Sequence, residues 1–305
     1  MTASTFLAID AGGTKTDLLW TQEDGQVLAR AQGEGVNIAS TPPNVWQRRL
    51  ERLLRQAQVD CQQVQTVCAG VAGYTLPDRR AQFERMLQQL FPRARLLVLA
   101  DYAIALEGAT GGEAGILVLA GTGSIVCGRD RDGKMLRAGG WGYLLNDEGS
   151  GFWIGREALR AALAAAEGWG ETTCLHRLLS ETLGSTDPGD WLSKLYRAHN
   201  PQSLLAGLAS LVSQAAEQED SVAQRILHEA AQHLAERVTQ LRRVLPLPED
   251  FPVYIVGGVW NSSLVRQCFE QLLHQRLPSW RGEVRPPRLS PVEGAFLIAQ
   301  RVTRS

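Results

Sequence analysis

The chain has 305 residues, enough for one large domain or two medium-sized domains that each bury a core. Apolar residues make up 44% of the sequence and charged residues 21%, which is typical of a soluble globular protein and too apolar for a disordered one. The 31 basic and 32 acidic side chains give a net charge of −1, so the composition offers no strong field to attract phosphate backbones or anionic lipids. We therefore expect neither a nucleic acid nor a membrane as the main partner.

The cysteines and the first residues bear on the cellular compartment. The five cysteines are odd in number, scattered and without CxxC spacing, which argues against a disulfide framework and against a zinc or iron–sulfur site. The segment MTASTFLAIDAGG lacks the basic and long apolar regions of a signal peptide, and no stretch approaches the length of a membrane-spanning helix. We expect a reduced, cytoplasmic protein.

The first hundred residues alternate between strand and helix patterns. Apolar runs separated by Gly12-Gly13 and by the Asp24-Gly25 turn predict two or three antiparallel strands. Helical spacing of apolar residues then alternates with further apolar runs, which predicts the order β-β-β-α-β-α-β. The predicted elements are strands over Thr5–Asp10, Thr16–Thr21 and Val27–Ala31, a helix over 43–58, a strand over Val64–Val71, a helix over Pro77–Leu90 and a strand over Leu96–Ala100.

The middle of the chain repeats this opening. Strands are predicted over Ala114–Leu119, Ser124–Gly128 and Lys134–Ala138, with glycine-containing turns between them. The segments FLAIDAGGTKTDLLWTQEDGQVLAR and ILVLAGTGSIVCGRDRDGKMLRAGG share one plan: strand, Gly/Thr hairpin, strand, Asp-Gly turn, strand. We infer an internal duplication of one supersecondary unit.

The remainder of the chain is mostly helical. A helical stretch from about 151 to 245 has predicted interruptions near Asp187-Pro188-Gly189 and His199-Asn200-Pro201, and its arginines Arg237, Arg242 and Arg243 are expected on a solvated face. The chain closes with a predicted strand (Val253–Val256), a helix after Gly257-Gly258, a short strand (Glu283–Arg285) and a helix from Pro291. The economical interpretation is an α/β protein of two halves with a cleft between them.

The segment DAGGTKT, residues 10–16, stands at the first strand–turn–strand junction. Its glycines allow backbone amides to approach an anion closely, its threonine hydroxyls can donate to phosphate oxygens, and its lysine adds positive charge. The segment is not a P-loop, because GxxxxGK[ST] is absent. It indicates a phosphate loop, and the alternative is a glycine-rich hairpin in which Asp10 only completes the turn.

Two further glycine motifs point to the same chemistry. Gly121-Thr122-Gly123-Ser124 occupies the matching position in the second half, and two equivalent hairpins facing one cleft can hold two consecutive phosphates. A turn-only explanation accounts for each hairpin separately but not for the repetition. Gly257-Gly258 follows the apolar strand VYIV and leaves backbone without side chains against which a nucleotide can rest, whereas close helix–strand packing is its alternative explanation.

Five motifs follow one another along the chain: strand–DAGGTKT–strand, AD at a strand end, LAGTGS, GGWGYLLNDEGSGFWIG and IVGGVWNS. Together they resemble the N-acetylglucosamine kinases, which belong to the BadF/BadG/BcrA/BcrD branch of the sugar kinase/Hsp70/actin ATPase superfamily. The resemblance spans essentially the whole chain, and GGWG…DEGS narrows it to this branch. It implies two ribonuclease H-like domains, 1–112 with 290–305 and 113–289 with a helical insertion, with ATP in the cleft and closure over a sugar.

The resemblance also implies roles for individual residues. Asp10 matches the acid that holds Mg²⁺ through water, and Asp101, at the end of LLVLAD, matches the catalytic base. The residues implied to bind ATP and its phosphates are Gly12, Gly13, Thr14, Lys15, Gly121, Thr122, Gly123, Gly257 and Gly258. The residues implied to bind the sugar are Asn37, Gly140, Trp141 and Asp147. The segment CAGVAGYT follows the family pattern only loosely, so a sugar contact from Ala72 or Gly73 would be through backbone.

The chemistry of phosphoryl transfer accounts for an aspartate at position 101. A sugar hydroxyl is a poor nucleophile, and a carboxylate at a strand end can accept its proton as the bond to phosphorus forms. Asp101 precedes a helical segment, so it could instead be the N-cap of that helix. The two roles do not exclude each other.

The acids of the segment NDEGSG, Asp147 and Glu148, also have two interpretations. They could form a solvated turn before the next helix. Aromatic residues crowd the segment, however, and an acid beside an aromatic face is a common way to hold sugar hydroxyls. The aromatic residues are Trp141, Tyr143, Phe152 and Trp153. We favour a sugar site.

We therefore expect an ATP- and Mg²⁺-dependent kinase, a cytoplasmic homodimer, that phosphorylates the 6-hydroxyl of N-acetylglucosamine or a close amino sugar such as glucosamine or N-acetylmuramic acid. One alternative is an ATPase that drives electron transfer, like the activators of 2-hydroxyacyl-CoA dehydratases, which need cysteines to hold an iron–sulfur cluster. A second alternative is a sugar sensor that regulates transcription, which would need a DNA-binding extension. The zinc-binding cysteine cluster of ROK-type glucokinases is absent from the sequence, which argues against that sister family.

Overall fold

The chain divides into two compact units, each built on its own five-stranded sheet. The computed structural model describes residues 5–304. Unit 1 comprises the chain up to Glu113 and from Pro287 onward, and unit 2 comprises Ala114–Pro286. The domain limits expected from the sequence, after residue 112 and before residue 290, remain predictions.

The strands and helices follow the order that the sequence patterns predict. In chain order they are β1 (Thr5–Ala11), β2 (Lys15–Gln22), β3 (Val27–Glu34), α1 (Pro43–Gln56), β4 (Val64–Val71), α2 (Pro77–Leu90), β5 (Arg95–Ala100), α3 (Asp101–Thr110), β6 (Gly115–Ala120), β7 (Ser124–Arg129), β8 (Met135–Gly139), α4 (Gly151–Ala166), α5 (Leu175–Leu183), α6 (Pro188–Arg197), α7 (Pro201–Gly207), α8 (Ala209–Glu217), α9 (Ser221–Val244), β9 (Val253–Val256), α10 (Ser263–Arg276), β10 (Val284–Arg285) and α11 (Pro291–Arg304).

The sheet of unit 1 joins an antiparallel meander to two parallel strands, in the order β3-β2-β1-β4-β5. Both faces are covered. On β1, Leu7 and Ile9 pack into the core formed with α1 and α2, whereas Phe6 and Ala8 pack into the core formed with α3 and α11. Because successive side chains of a strand point to opposite faces, this double coverage requires the continuous apolar run found in the sequence.

The sheet of unit 2 has the same topology. Its order is β8-β7-β6-β9-β10, with β6, β7 and β8 antiparallel and with β9 parallel to both β6 and β10. The first three strands of each unit are therefore a meander whose first strand also pairs in parallel with a later strand. The duplication inferred from the sequence is confirmed, because β1 and β6 occupy equivalent central places.

The helical insertion of unit 2 contains both predicted interruptions, together with further breaks that were not predicted. The expected interruptions at Pro188 and Pro201 are helix starts, where the side chains of Asp187 and Asn200 accept hydrogen bonds from backbone N–H groups of the first turn. A proline at the first helical position loses nothing, because its missing N–H would have no helical partner there. The break between α4 and α5, which includes Gly168 at a φ of 80°, was not predicted.

A smaller correction concerns the segment after β9. The predicted helix does not begin at Gly258, since one short 3₁₀ helix, Gly258–Asn261, precedes α10. Ser262 then caps α10 by accepting a hydrogen bond from the Val265 N–H group. Across residues 5–304, no helix combines the length and apolar character needed to cross a bilayer.

Candidate functional site

Two aspartates meet at one end of the sheet of unit 1. Asp10 is the penultimate residue of β1, Asp101 follows β5, and β4 lies between these two strands. Burial raises the pKa of Asp10 to about 7, and the negative charges of Asp101 and of Asp17 on β2 add to the effect, whereas Lys15 opposes it. A cation placed here would relieve the repulsion among these carboxylates.

Asp101 is the first residue of α3 rather than its N-cap. The N-cap is Ala100, and Asp101 Oδ1 accepts a hydrogen bond of 2.9 Å from the Tyr102 N–H group. The position of α3 depends on Gly70 of β4, because a Cβ at Gly70 would overlap the Ile104 side chain. Close packing of α3 on β4 thus places the Asp101 carboxylate at the sheet end, where a carboxylate also suits the helix dipole.

The first glycine loop connects β1 to β2 and is supported by the segment after β3. The Gly12 N–H group donates to Lys15 O at 3.0 Å, and the Val36 N–H group donates to Gly12 O at 2.9 Å. A Cβ at Gly35 would overlap Gly13 O, so only glycine allows this close approach. The Lys15 ammonium is exposed and lies 2.8 Å from the Asp17 carboxylate.

Asn37 lies beside this loop. It forms a parallel bridge with Ala72, and its Oδ1 accepts a hydrogen bond of 2.9 Å from the Ala39 N–H group. Its Nδ2 would lie 3.9 Å from a Cβ at Gly13, and its Oδ1 would lie 2.8 Å from a Cβ at Gly73. Unit 1 therefore brings the first glycine loop next to Asn37, one of the four residues predicted to contact the sugar.

The second glycine loop connects β6 to β7 and meets the glycine pair after β9. Gly257, at a φ of 116°, is so close to Ala120 that a Cβ would overlap the Ala120 carbonyl. A Cβ at Gly121 or at Gly258 would meet no atom within 4 Å. Unit 2 thus brings the two glycine motifs together and leaves open space beside their backbone. A ligand that packs directly against the backbone requires such space.

The start of α4 holds the second glycine loop. The Gly151 N–H group donates to Gly121 O at 2.8 Å, and the Phe152 N–H group donates to Thr122 O at 3.2 Å. Ser150 caps the helix by accepting a bond of 3.2 Å from the Trp153 N–H group. These bonds connect the loop directly to the segment NDEGSG, a link that motif spacing alone does not reveal.

Asp147 supports the same loop. It is 3% exposed, and its Oδ1 accepts a hydrogen bond of 3.2 Å from the Ser124 N–H group. Its φ of 75° is in the left-handed region, which aspartate tolerates better than most residues. Burial raises its pKa, while the Ser124 N–H group and the Arg237 charge lower it. The carboxylate expected to contact the sugar thus lies against the loop expected to contact phosphate.

Trp141 and Gly140 form an exposed corner of unit 2. Gly139 and Gly140 both have positive φ values, 82° and 71°, which favour glycine at this turn after β8. The Trp141 side chain is 57% exposed, and the Arg137 guanidinium lies 4.2 Å from its ring centroid. Arg137 also donates to Gly140 O at 3.0 Å, which fixes the turn. An exposed, oriented indole is well suited to stack against a sugar ring.

Arg237 is buried, contrary to the prediction from the sequence. It was expected on the solvated face of the helical stretch, but it is 9% exposed. It donates to Ser124 Oγ at 2.8 Å and forms an ion pair with Glu148. The spacing contained a signal, because Arg237 is three residues after the buried Leu234 and four before the buried Leu241.

The sequence profile of the BadF/BadG/BcrA/BcrD ATPase family matches residues 7–299. The chain belongs to this family. It is 32% identical, over 261 residues, to an N-acetylmuramic acid/N-acetylglucosamine kinase of Clostridium acetobutylicum, a match that covers 84% of this chain and 85% of the relative. It is 28% identical to an N-acetyl-D-glucosamine kinase of Dictyostelium discoideum over 98% of both chains.

Solved structures show the same architecture. A proposed N-acetylglucosamine kinase from Chromobacterium violaceum superposes with a TM-score of 0.81 at 27% identity, covering 98% of this chain and all of the other. A ROK family glucokinase from Streptomyces griseus, in complex with glucose and AMPPNP, superposes with a TM-score of 0.62 at 19% identity, covering 99% of this chain and all of the other. The expected fold, with two domains of the actin-like ATPase and sugar kinase type, is confirmed.

Proposed function

We propose that this protein is an ATP-dependent sugar kinase that transfers the γ-phosphoryl group of ATP to the 6-hydroxyl of N-acetylglucosamine. The family match and the kinases among its relatives support this activity. The observation that carries the proposal is the aspartate pair of unit 1, Asp10 and Asp101, at the sheet end next to the first glycine loop, which packs closely against Gly35.

Asp101 is proposed as the catalytic base. Its carboxylate would accept the proton of the sugar hydroxyl as the oxygen bonds to phosphorus and the bond to the ADP oxygen breaks. Most of the remaining catalysis is positioning and neutralisation of charge, because phosphoryl transfer involves little covalent chemistry with the protein. A hydrogen bond of 2.9 Å from the Tyr102 N–H group orients one carboxylate oxygen for this task.

The residues around Asp10 fit a Mg²⁺ ion. Magnesium prefers oxygen ligands, keeps several waters and is commonly bound through one or two carboxylates together with substrate phosphates. Among residues 5–304 no cluster of three or more metal-binding side chains occurs. Asp10 would hold the ion through water, and the bound ion would neutralise phosphate charge.

The glycine motifs are proposed to hold ATP. Backbone N–H groups of the two hairpin loops would face phosphate oxygens, helped by Thr14, Lys15 and Thr122, and the open backbone at Gly257 and Gly258 would receive the adenosine. Gly12, Gly13, Gly121 and Gly123 would allow the close approach. The sugar would contact Asn37, Gly140, Trp141 and Asp147. The domain limits 1–112 with 290–305 and 113–289, the cytoplasmic location and the homodimer stay predictions.

A second substrate has specific support. One relative at 32% identity is named for both N-acetylmuramic acid and N-acetylglucosamine. A coupled ADP-release assay over N-acetylglucosamine, N-acetylmuramic acid, glucosamine and glucose would test both proposals. We expect the largest kcat/KM with an N-acetylated sugar. ADP release that no sugar stimulates would contradict the kinase proposal, and purified protein that contains iron would favour the electron-transfer alternative.

A further inference from the structure

A buried guanidinium lies behind the second glycine loop. Arg237, on α9, donates from Nη1 to Ser124 Oγ at 2.8 Å and to Glu148 O at 3.1 Å, and its Nη2 forms an ion pair with the Glu148 carboxylate. Behind it, a Cβ at Gly139 would lie 3.3 Å from Arg237 Nε. The guanidinium is thus enclosed on both sides.

Burial of a cation is costly unless hydrogen bonds and an opposite charge compensate for the lost water. Arg237 occupies a position at which the neighbouring helical turns carry the buried residues Ala230, Leu234 and Leu241. An apolar side chain would suit this stripe of α9 without such compensation. The groups that the guanidinium contacts therefore indicate a role for Arg237 beyond packing.

Ser124 connects these groups. It directly follows the glycine loop, its N–H group donates to Asp147 Oδ1 at 3.2 Å, and its hydroxyl donates to Glu148 O at 2.9 Å. The hydroxyl oxygen accepts from Arg237 at the same time. A single serine therefore joins the proposed phosphate loop, the proposed sugar carboxylate and the buried arginine.

We propose that Arg237 is a positioning residue for the phosphoryl transfer, which holds the second glycine loop and Asp147 in one fixed arrangement through Ser124 and Glu148. This inference rests on the proposed function, because it assumes that the loop binds phosphate and that Asp147 binds the sugar. Arg237 itself touches neither substrate in this scheme. It sets the position from which two other groups do so.

The charges around Asp147 provide a readout that a packing role would not affect. Glu148 raises the pKa of Asp147, as burial does, whereas Arg237 and the hydrogen bond from the Ser124 N–H group lower it. Gln202, from α7, lies 3.5 Å from Asp147 Oδ2 and carries no charge. Removal of the Arg237 charge therefore raises this pKa further, and the acid limb of kcat/KM for the sugar moves to higher pH.

The experiment compares Arg237→Met with Arg243→Met, because Arg243 lies on the same helix but is exposed. Activity of the wild type on the sugar panel is measured first. Amide hydrogen exchange is then followed in the loop 121–124 and in the segment 147–152, together with kcat, KM and the pH profile. Arg237→Lys and Ser124→Ala provide milder changes if Arg237→Met does not fold.

We expect exchange in both segments to rise at least about tenfold in Arg237→Met and kcat/KM to fall by a similar factor, with the acid limb displaced upward. The Arg243→Met variant should match the wild type. Unchanged exchange in the two segments would overturn the proposal, and so would faster exchange without a change in kinetics or in the acid limb. A wild type that phosphorylates no amino sugar would instead refute the proposed function, and this result is obtained before any substitution is made.

Discussion

The proposed catalytic role of Asp101 predicts a large loss of activity when its carboxylate is replaced. If it is the base, Asp101→Asn should lower kcat by at least about a hundredfold, since an amide cannot accept the hydroxyl proton. Binding of ADP should change little, because the glycine loops are untouched. Steady-state kinetics and calorimetry check both expectations.

Asp78→Asn is the matched control for this substitution, since Asp78 is also an acid in the first turn of a helix, α2. Both variants lose a similar interaction with a helix dipole, about 0.3–1 kcal/mol. Equal activity of the two variants would contradict a catalytic role for Asp101.

Asp10 gives a prediction about stability and pH. Its pKa is raised from 3.8 to about 7 in the folded protein, so the folded state binds the proton more tightly than the unfolded state. The free energy of unfolding of the wild type should therefore fall as the pH rises from about 4 to above 7, relative to Asp10→Asn, which does not titrate. The difference should reach at most about 4 kcal/mol, given 1.36 kcal/mol for each pKa unit.

Urea unfolding of protein freed of Mg²⁺ and nucleotide, at several pH values from 4.5 to 8.5, measures this difference. Asp10→Asn should be the more stable variant at pH 8, and the difference should fall to about 1 kcal/mol at pH 4.5. Parallel stability curves across this range would show that the carboxyl group of Asp10 has an ordinary pKa.

The first glycine loop and the segment that supports it contain two kinds of glycine position. At one kind a side chain would overlap the protein itself, and at the other it would obstruct only a bound ligand. A Cβ at Gly13 would make only an ordinary contact, whereas a Cβ at Gly35 would overlap the Gly13 carbonyl. We expect Gly13→Val to fold normally and to raise KM for ATP about tenfold or more, because a branched side chain would obstruct the close approach of phosphate to the loop backbone. Thermal unfolding and steady-state kinetics test these expectations.

Gly35→Ala should instead lower the melting temperature, because the overlap distorts the loop itself. Gly207→Val is the control for Gly13→Val, since a Cβ at Gly207 meets no atom within 4 Å and Gly207 lies outside the proposed ATP site. An unchanged KM for ATP in Gly13→Val would contradict the assignment of this loop to phosphate.

The elements also show what the sequence could reveal. The bounds of β4, α2 and β9 are those predicted, because each is an apolar run or an amphipathic segment with clear turn residues at its ends. The burial of Arg237 and the contact between Asp147 and Ser124 were not predicted. The apolar spacing on α9 indicates that Arg237 is buried, but its partners Ser124 and Glu148 are 113 and 89 positions away, and Asp147 and Ser124 are 23 positions apart, so no local pattern reports these contacts.

The two units share one sheet topology but differ in the helices inserted between their strands. Unit 2 carries the helices α4–α9 between its third and fourth strands, where unit 1 has a single helix, α1. The residues predicted to bind the sugar come from both units: Asn37 from unit 1, and Gly140, Trp141 and Asp147 from unit 2. Sugar binding should therefore depend on substitutions in either unit.

Thermal unfolding with and without N-acetylglucosamine tests this dependence. A ligand present at a hundred times its Kd stabilises the folded state by about 2.7 kcal/mol, so the wild type should melt several degrees higher with sugar. Asn37→Ala and Trp141→Ala should each weaken binding at least about tenfold, which reduces the stabilisation at the same sugar concentration to about half.

Trp169→Ala is the control, because Trp169 is also an exposed tryptophan of unit 2, 73% exposed, outside the predicted site. It removes the same indole without removing a proposed sugar contact, so its melting temperature should rise with sugar as much as that of the wild type. A wild-type response in Trp141→Ala would remove the indole from the sugar site. A wild-type response in Asn37→Ala would remove unit 1 from sugar recognition and leave Trp141 and Asp147 of unit 2 as the residues on which sugar binding depends.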